Sequence, residues 1–175
     1  MKVIRLGPDE VFYRFLTPKW SHLPSSGAGA AQNGGRFNRP GVEAVYLARE
    51  VETAHAEYRQ DSAIVPPGTL VAYRLSVDEV VDFSAGYDPL GGWTPLFAQW
   101  ACEWKAIARL DGAVPPTWRI ADDLIKSGRR GLLFPSTRQS GGTNLVLFSA
   151  NLSAKDRVEP HDPEARLPHD QSSWP

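Results

Sequence analysis

The stretch GGRFNRPGVEAVYLA, residues 34–48, changes character half-way along. Its first half strings together glycines, Arg36, Asn38 and Pro40, residue types that punctuate turns and do not sustain a long helix or a central strand. Its second half, EAVYLA at 43–48, is short and apolar and includes the β-formers Val45 and Tyr46. A glycine-rich turn therefore feeds a short strand, and Arg36 and Tyr46 stand at the borders of an apolar segment.

On the N-terminal side, VFYRFL at 11–16 predicts a strand ending before Pro18. Residues 21–35 (SHLPSSGAGAAQNGG) are small and polar without periodicity, which predicts a long flexible or ligand-covering loop. Its GAGAAQ at 27–32 lacks the third glycine and the preceding strand of a dinucleotide fingerprint, so a Rossmann site is excluded there. On the C-terminal side, Val51, Ala54, His55 and Tyr58 recur at helical spacing over 51–60, with Glu57 on the flank of that stripe. Strands are predicted at 69–77, 80–83, 131–134 and 144–150. Helices are predicted at 95–109, with Phe97, Trp100, Ala101, Trp104, Ile107 and Ala108 on one core-facing side, and at 118–127, stopped by Gly128. These elements neither alternate regularly nor segregate, so the fold class is α+β: one compact domain over 1–150 with a mixed, mostly antiparallel sheet. A polar, proline-rich tail over 151–175 is expected to lie on the surface or fray.

Composition agrees with one domain: 175 residues, 42% hydrophobic, are enough to bury roughly 70% of the unfolded surface without staples. The single Cys102 excludes an internal disulfide and suits a reducing compartment. A formal charge of -1 gives no electrostatic reason to bind nucleic acid. No run approaches the ~18 apolar residues of a membrane span, and a cytoplasmic protein is expected. The four histidines, His22, His55, His161 and His169, show no metal-ligand spacing, so no metal is expected. A G-x-S-x-G elbow and a Walker loop are both missing.

What remains is a polar set in a fixed order: Arg36, Tyr46, a glutamate in HAEYR (Glu57), and Ser136 in GLLFPSTR, with TNLVLF closing the domain. These words, in this order and spacing over 11–148, resemble the RES-domain toxin family. The resemblance implies a fold similar to ADP-ribosyltransferase toxins, NAD+ as substrate, and the toxin's place in a bacterial toxin–antitoxin module. It further implies an antitoxin with an Xre-like helix-turn-helix domain that blocks the active site. Family members either degrade NAD+, passing ADP-ribose to water or phosphate, or transfer it to a protein. A protein acceptor is favoured here by the loop at 85–95, whose Tyr, Trp and glycines suit a docking face.

On that footing the catalytic candidates are Glu57, Arg36 and Tyr46. Losing nicotinamide develops oxocarbenium character on the ribose, which a carboxylate such as Glu57 stabilises. Arg36 suits the pyrophosphate as a bidentate fork, and Arg14 is carried over from the family's early arginine as a second clamp. Tyr46 suits the nicotinamide ring, Ser136 a ribose or phosphate oxygen, and Trp20, Phe37 and Asn144 complete the predicted binding set. By residue type alone Tyr46 is equally a core tyrosine, Glu57 a surface glutamate paired with Arg59 or Arg49, and Ser136 a turn former. The rival from another class is a non-catalytic module that binds a nucleotide or a protein.

Overall fold

The computed structural model describes residues 1–172. Its strands are β1 (Val3–Leu16), β2 (Ala44–Ala48), β3 (Thr69–Asp82), β4 (Gly131–Pro135), β5 (Thr143–Phe148) and β6 (Arg157–Pro160). The helices are α1 (Ala28–Asn33), α2 (Val51–Arg59), α3 (Trp104–Arg109) and α4 (Pro116–Lys126). The strands form one sheet in the order β1-β2-β5-β4-β3-β6, and β1 also pairs with β3. Only β3–β4 is parallel, so the mixed, mostly antiparallel α+β sheet stands as expected.

Period-two alternation divides the core. Val45 and Leu47 of β2, Leu133 of β4 and Leu145 and Leu147 of β5 join a cluster with Phe12, Tyr73 and Leu75, curled over by β1 and β3. The alternate residues, Ala44, Leu132, Phe134, Val146 and Phe148, form a second cluster, covered by Ile120, Ala121 and Leu124 of α4. Each large apolar side chain buried this way stabilises by roughly 1.5–3 kcal/mol. Gly128, at φ +78°, supplies the left-handed conformation that ends α4.

Three expectations change. Residues 21–35 are not a flexible loop: they contain α1, and the hydroxyl of Tyr73 and Nη1 of Arg14 both donate to the carbonyl of Pro24, with Arg14 also reaching Ser26. The predicted break between 77 and 80 is absorbed inside β3, where Glu79 takes φ +56° and the register on β1 slips. The helix expected over 95–109 is two pieces, a 3-10 turn at Pro95–Gln99 and then α3. Its apolar spacing is helical, but tertiary bonds capture the carbonyls between the pieces, as described below, and of its stripe only Phe97 is buried. The tail beyond 151 lies on the surface, the first of its two expected forms, and part of it, β6, adds to β3 as an edge strand; residues 173–175 of that tail lie outside the described residues. Among the described residues no helix is long and apolar enough to cross a membrane.

Candidate active site

β1 and β2 meet at a single pair, Tyr13 opposite Ala48, whereas β1 runs beside β3 for most of its length. Next to that lone pairing lies a cavity of about 500 Å³, within the range of roughly 300–1,000 Å³ usual for small-molecule sites. Arg14 of β1, Gly35 and Arg36 of the turn, Tyr46 of β2, Glu57 of α2, Trp104, Lys105 and Arg109 of α3, and Asn144 of β5 line it.

Glu57 is held from behind. Its Oε1 accepts hydrogen bonds from the Ser136 hydroxyl at 2.7 Å and from Nδ2 of Asn144 at 2.6 Å. Two donors on one oxygen fix the carboxylate's orientation, and among the described residues none donates to Oε2. The helix that carries it is anchored at its start, where Oε2 of Glu50 accepts from Thr53 Oγ1 at 2.7 Å and from the Thr143 amide at 3.0 Å. Glu50 and Thr53 were not singled out from the sequence, where a Glu before a helix reads as an ordinary charged cap.

The two halves of the 34–48 stretch interlock through Tyr46. Its hydroxyl accepts from the Phe37 amide at 2.9 Å and donates to Oδ1 of Asn38 at 2.8 Å. Gly35 is required beneath it, since a Cβ there would stand 2.6 Å from that hydroxyl oxygen. Burial pushes the Tyr46 phenol well above its ordinary pKa, against the lowering effects of the Phe37 bond and the Arg36 charge, so it acts as a neutral donor and not as a base.

Arg36 is half committed to the fold. Nη1 donates to the carbonyls of Trp100 at 3.1 Å and Cys102 at 2.9 Å, and Nη2 makes only a long contact of 3.4 Å to Thr137 Oγ1. Those carbonyls would bond α-helical amides if 95–109 were continuous, so this guanidinium accompanies the break in the predicted helix. Burial lowers the Arg36 pKa, while Cys102, Glu57, Glu103 and Tyr46 act to raise it. Burial likewise lowers Arg14, with Tyr73 opposing.

The family model of the RES domain matches residues 11–170. The chain belongs to the RES-domain family. A chain of the M. tuberculosis MbcT–MbcA toxin–antitoxin complex has a similar fold, with a TM-score of 0.55 and 20% identity over 90% of this chain and 84% of that one. No curated protein matches the chain.

In this RES domain the structure brings Arg14, Arg36, Tyr46, Glu57 and Asn144 to one cavity and leaves the other predicted residues off its wall. Ser136 donates its hydroxyl to Glu57 from behind the cavity wall. Phe37 is wholly buried and packs edge-on to Phe134 at 4.7 Å, which makes it core. Trp20 is half-buried against Gly29 on α1. The loop at 85–95 turns its aromatics inward: Trp93 lies 4.7 Å from Phe83 and 4.8 Å from Phe97, and Tyr87 packs on the same cluster. Conversely, Trp104, expected on the core-facing side of the 95–109 helix, lines the cavity together with Lys105 and Arg109, for which the sequence suggested no role; two bases at i, i+4 beside that tryptophan are the signal that could have found them.

Tyr46→Phe keeps the ring and removes both hydrogen bonds, leaving the Phe37 amide and Oδ1 of the buried Asn38 unpaired. We expect a loss of about 1–3 kcal/mol, read as a lower midpoint in thermal or urea unfolding. An unchanged midpoint would show that the phenol does not tie the turn to β2.

Proposed function

We propose that this RES domain is the toxin of a bacterial toxin–antitoxin module and that it cleaves the nicotinamide–ribose bond of NAD+, passing ADP-ribose to a small acceptor. The observation that carries this is the Glu57 carboxylate, gripped by Ser136 and Asn144, on the wall of a cavity shared with Tyr46 and the half-buried Arg14 and Arg36. As nicotinamide departs, positive charge develops on the ribose ring. A pre-oriented carboxylate stabilises that charge without reorganising, which lowers the barrier instead of merely tightening binding. Tyr46 offers a ring face to nicotinamide. The MbcT–MbcA likeness supports a protein antitoxin as partner; an Xre-like helix-turn-helix antitoxin that occludes the cavity follows from the family resemblance.

Transfer to a protein was favoured by the loop at 85–95, and its inward aromatics remove that support. The concave, cation-lined cavity suits water or phosphate as acceptor, which makes the toxin an NAD+-degrading enzyme; mono-ADP-ribosylation of a protein is the second reading. The purified chain is expected to release nicotinamide from NAD+ labelled in its adenylate half, with the label recovered as free ADP-ribose or its phosphate. Label on a denatured protein band would select the second reading. Saturable NAD+ binding without nicotinamide release would replace both with a binding module.

A further inference from the structure

The cavity is far more basic than the chain. Five cations, Arg14, Arg36, Lys105, Arg109 and Arg138, line it against two carboxylates, Glu57 and Glu103, in a protein of net charge -1. The arginine expected to grip the pyrophosphate is poorly placed to do so as a fork, because Nη1 of Arg36 is already shared between two backbone carbonyls. Arg14 is similarly tied, its Nη1 shared between the carbonyls of Pro24 and Ser26.

The mouth is different. Lys105 and Arg109 stand at i, i+4 on one side of α3, and both line the cavity. Lys105 spends one of its three donors on Gln60 Oε1, at 2.6 Å, while Arg109 is exposed and has neither hydrogen bond nor ion pair among the described residues. Arg138, on the turn after β4, is paired with Asp61, the neighbour of Gln60, so the three cations gather around the C-terminal end of α2. Burial lowers the Lys105 pKa, and the like charges of Arg109, Arg138 and Arg36 lower it further against Asp61. Such a gathering of like charge stabilises only what brings negative charge to it.

We infer that Lys105 and Arg109 form the pyrophosphate cradle of the substrate, and that Arg36 serves as a positioning residue that locks the segment before α3 so that this cradle faces Glu57. This rests on the NAD+ reading and deepens it. The phosphates of a dinucleotide whose glycosidic bond lies at Glu57 extend away from it, toward the more exposed groups. Phosphate oxygens favour a fork and a point charge side by side, which Arg109 and Lys105 provide.

ADP-ribose, which keeps the pyrophosphate and lacks the scissile bond, is the probe. In calorimetric titration the Lys105→Gln/Arg109→Gln chain is expected to bind it about tenfold or more weakly than wild type, each lost charge-assisted contact alone being able to produce about that factor. The KM for NAD+ should rise by a similar factor with kcat within about threefold, the pattern of lost uniform binding. Lys105→Arg/Arg109→Lys should restore most of the affinity, and Lys155→Gln, an equal charge loss on an exposed turn, should leave it alone. Both changed side chains reach solvent, and far-UV circular dichroism of each variant checks the fold. Unchanged ADP-ribose affinity in the double glutamine variant overturns the cradle, as does a loss confined to orthophosphate binding. If wild type binds ADP-ribose through these residues yet releases no nicotinamide, the cradle stands and the proposed reaction fails; if wild type binds no ADP-ribose, the cradle itself is overturned.

Discussion

Glu57→Gln is expected to reduce nicotinamide release by about 10²–10³-fold while leaving the protein folded. The amide oxygen of glutamine can occupy the position of Oε1 and still accept from the Ser136 hydroxyl and from Nδ2 of Asn144, so the geometry behind the side chain survives. What disappears is the negative charge beside a ribose that becomes cationic, an interaction worth more in the transition state than in the ground state. The loss should therefore fall on kcat, with KM little changed, and the thermal midpoint should stay within about 4 °C, equivalent to roughly 1 kcal/mol for a chain of this size. Ser136→Ala provides the second arm. If that hydroxyl orients Glu57, its removal lowers kcat by a smaller factor; if it binds substrate, KM rises instead. A Glu57→Gln protein that retains most of its turnover would remove the carboxylate from the chemistry.

How much of this was legible follows from what kind of contact made each element. β2, α2, β4, β5 and α4 rest on local patterns, period two or helical spacing bounded by turn residues, and these are printed in the sequence. The order Arg36, Tyr46, Glu57 was legible as a family resemblance, and the cavity unites those three groups. The interlock of Gly35, Phe37 and Asn38 with Tyr46 was not, because it depends on a hydrogen bond across a turn that no periodicity records. The same blindness produced the false helix at 95–109. Phe97, Trp100, Ala101 and Trp104 have helical spacing, but Arg36 is more than sixty positions upstream and takes the carbonyls of Trp100 and Cys102. Once that break is seen, Trp104 leaves the core stripe and joins Lys105 and Arg109 on the cavity wall. Ser136 and Asn144 were legible as site residues, but their shared bond to Glu57 was not, since a hydroxyl or amide near a carboxylate and one near a sugar look alike until Glu57 is found between them.

Phe37→Ala should separate the fold from the chemistry most sharply. Phe37 follows Arg36 in the chain, yet it is wholly buried, edge-on to Phe134 and packed with Val146, Phe148 and the apolar side of α4. Truncation removes the ring and leaves a cavity that a sheet bonded on both sides cannot close, a change that typically destabilises by about 3–5 kcal/mol. At roughly 2–4 °C per kcal/mol the midpoint should fall by about 10 °C. Because folded domains are stable by only about 5–15 kcal/mol, part of the population could be unfolded at ordinary temperature, and activity must be read per folded molecule at low temperature. Phe37→Leu, which refills most of the volume, should recover most of the midpoint. Were Phe37 instead a ligand-stacking residue, the alanine variant would keep its midpoint and raise KM for NAD+. Chemical denaturation and steady-state kinetics on the same preparations distinguish the two, and the burial of that ring predicts the first outcome.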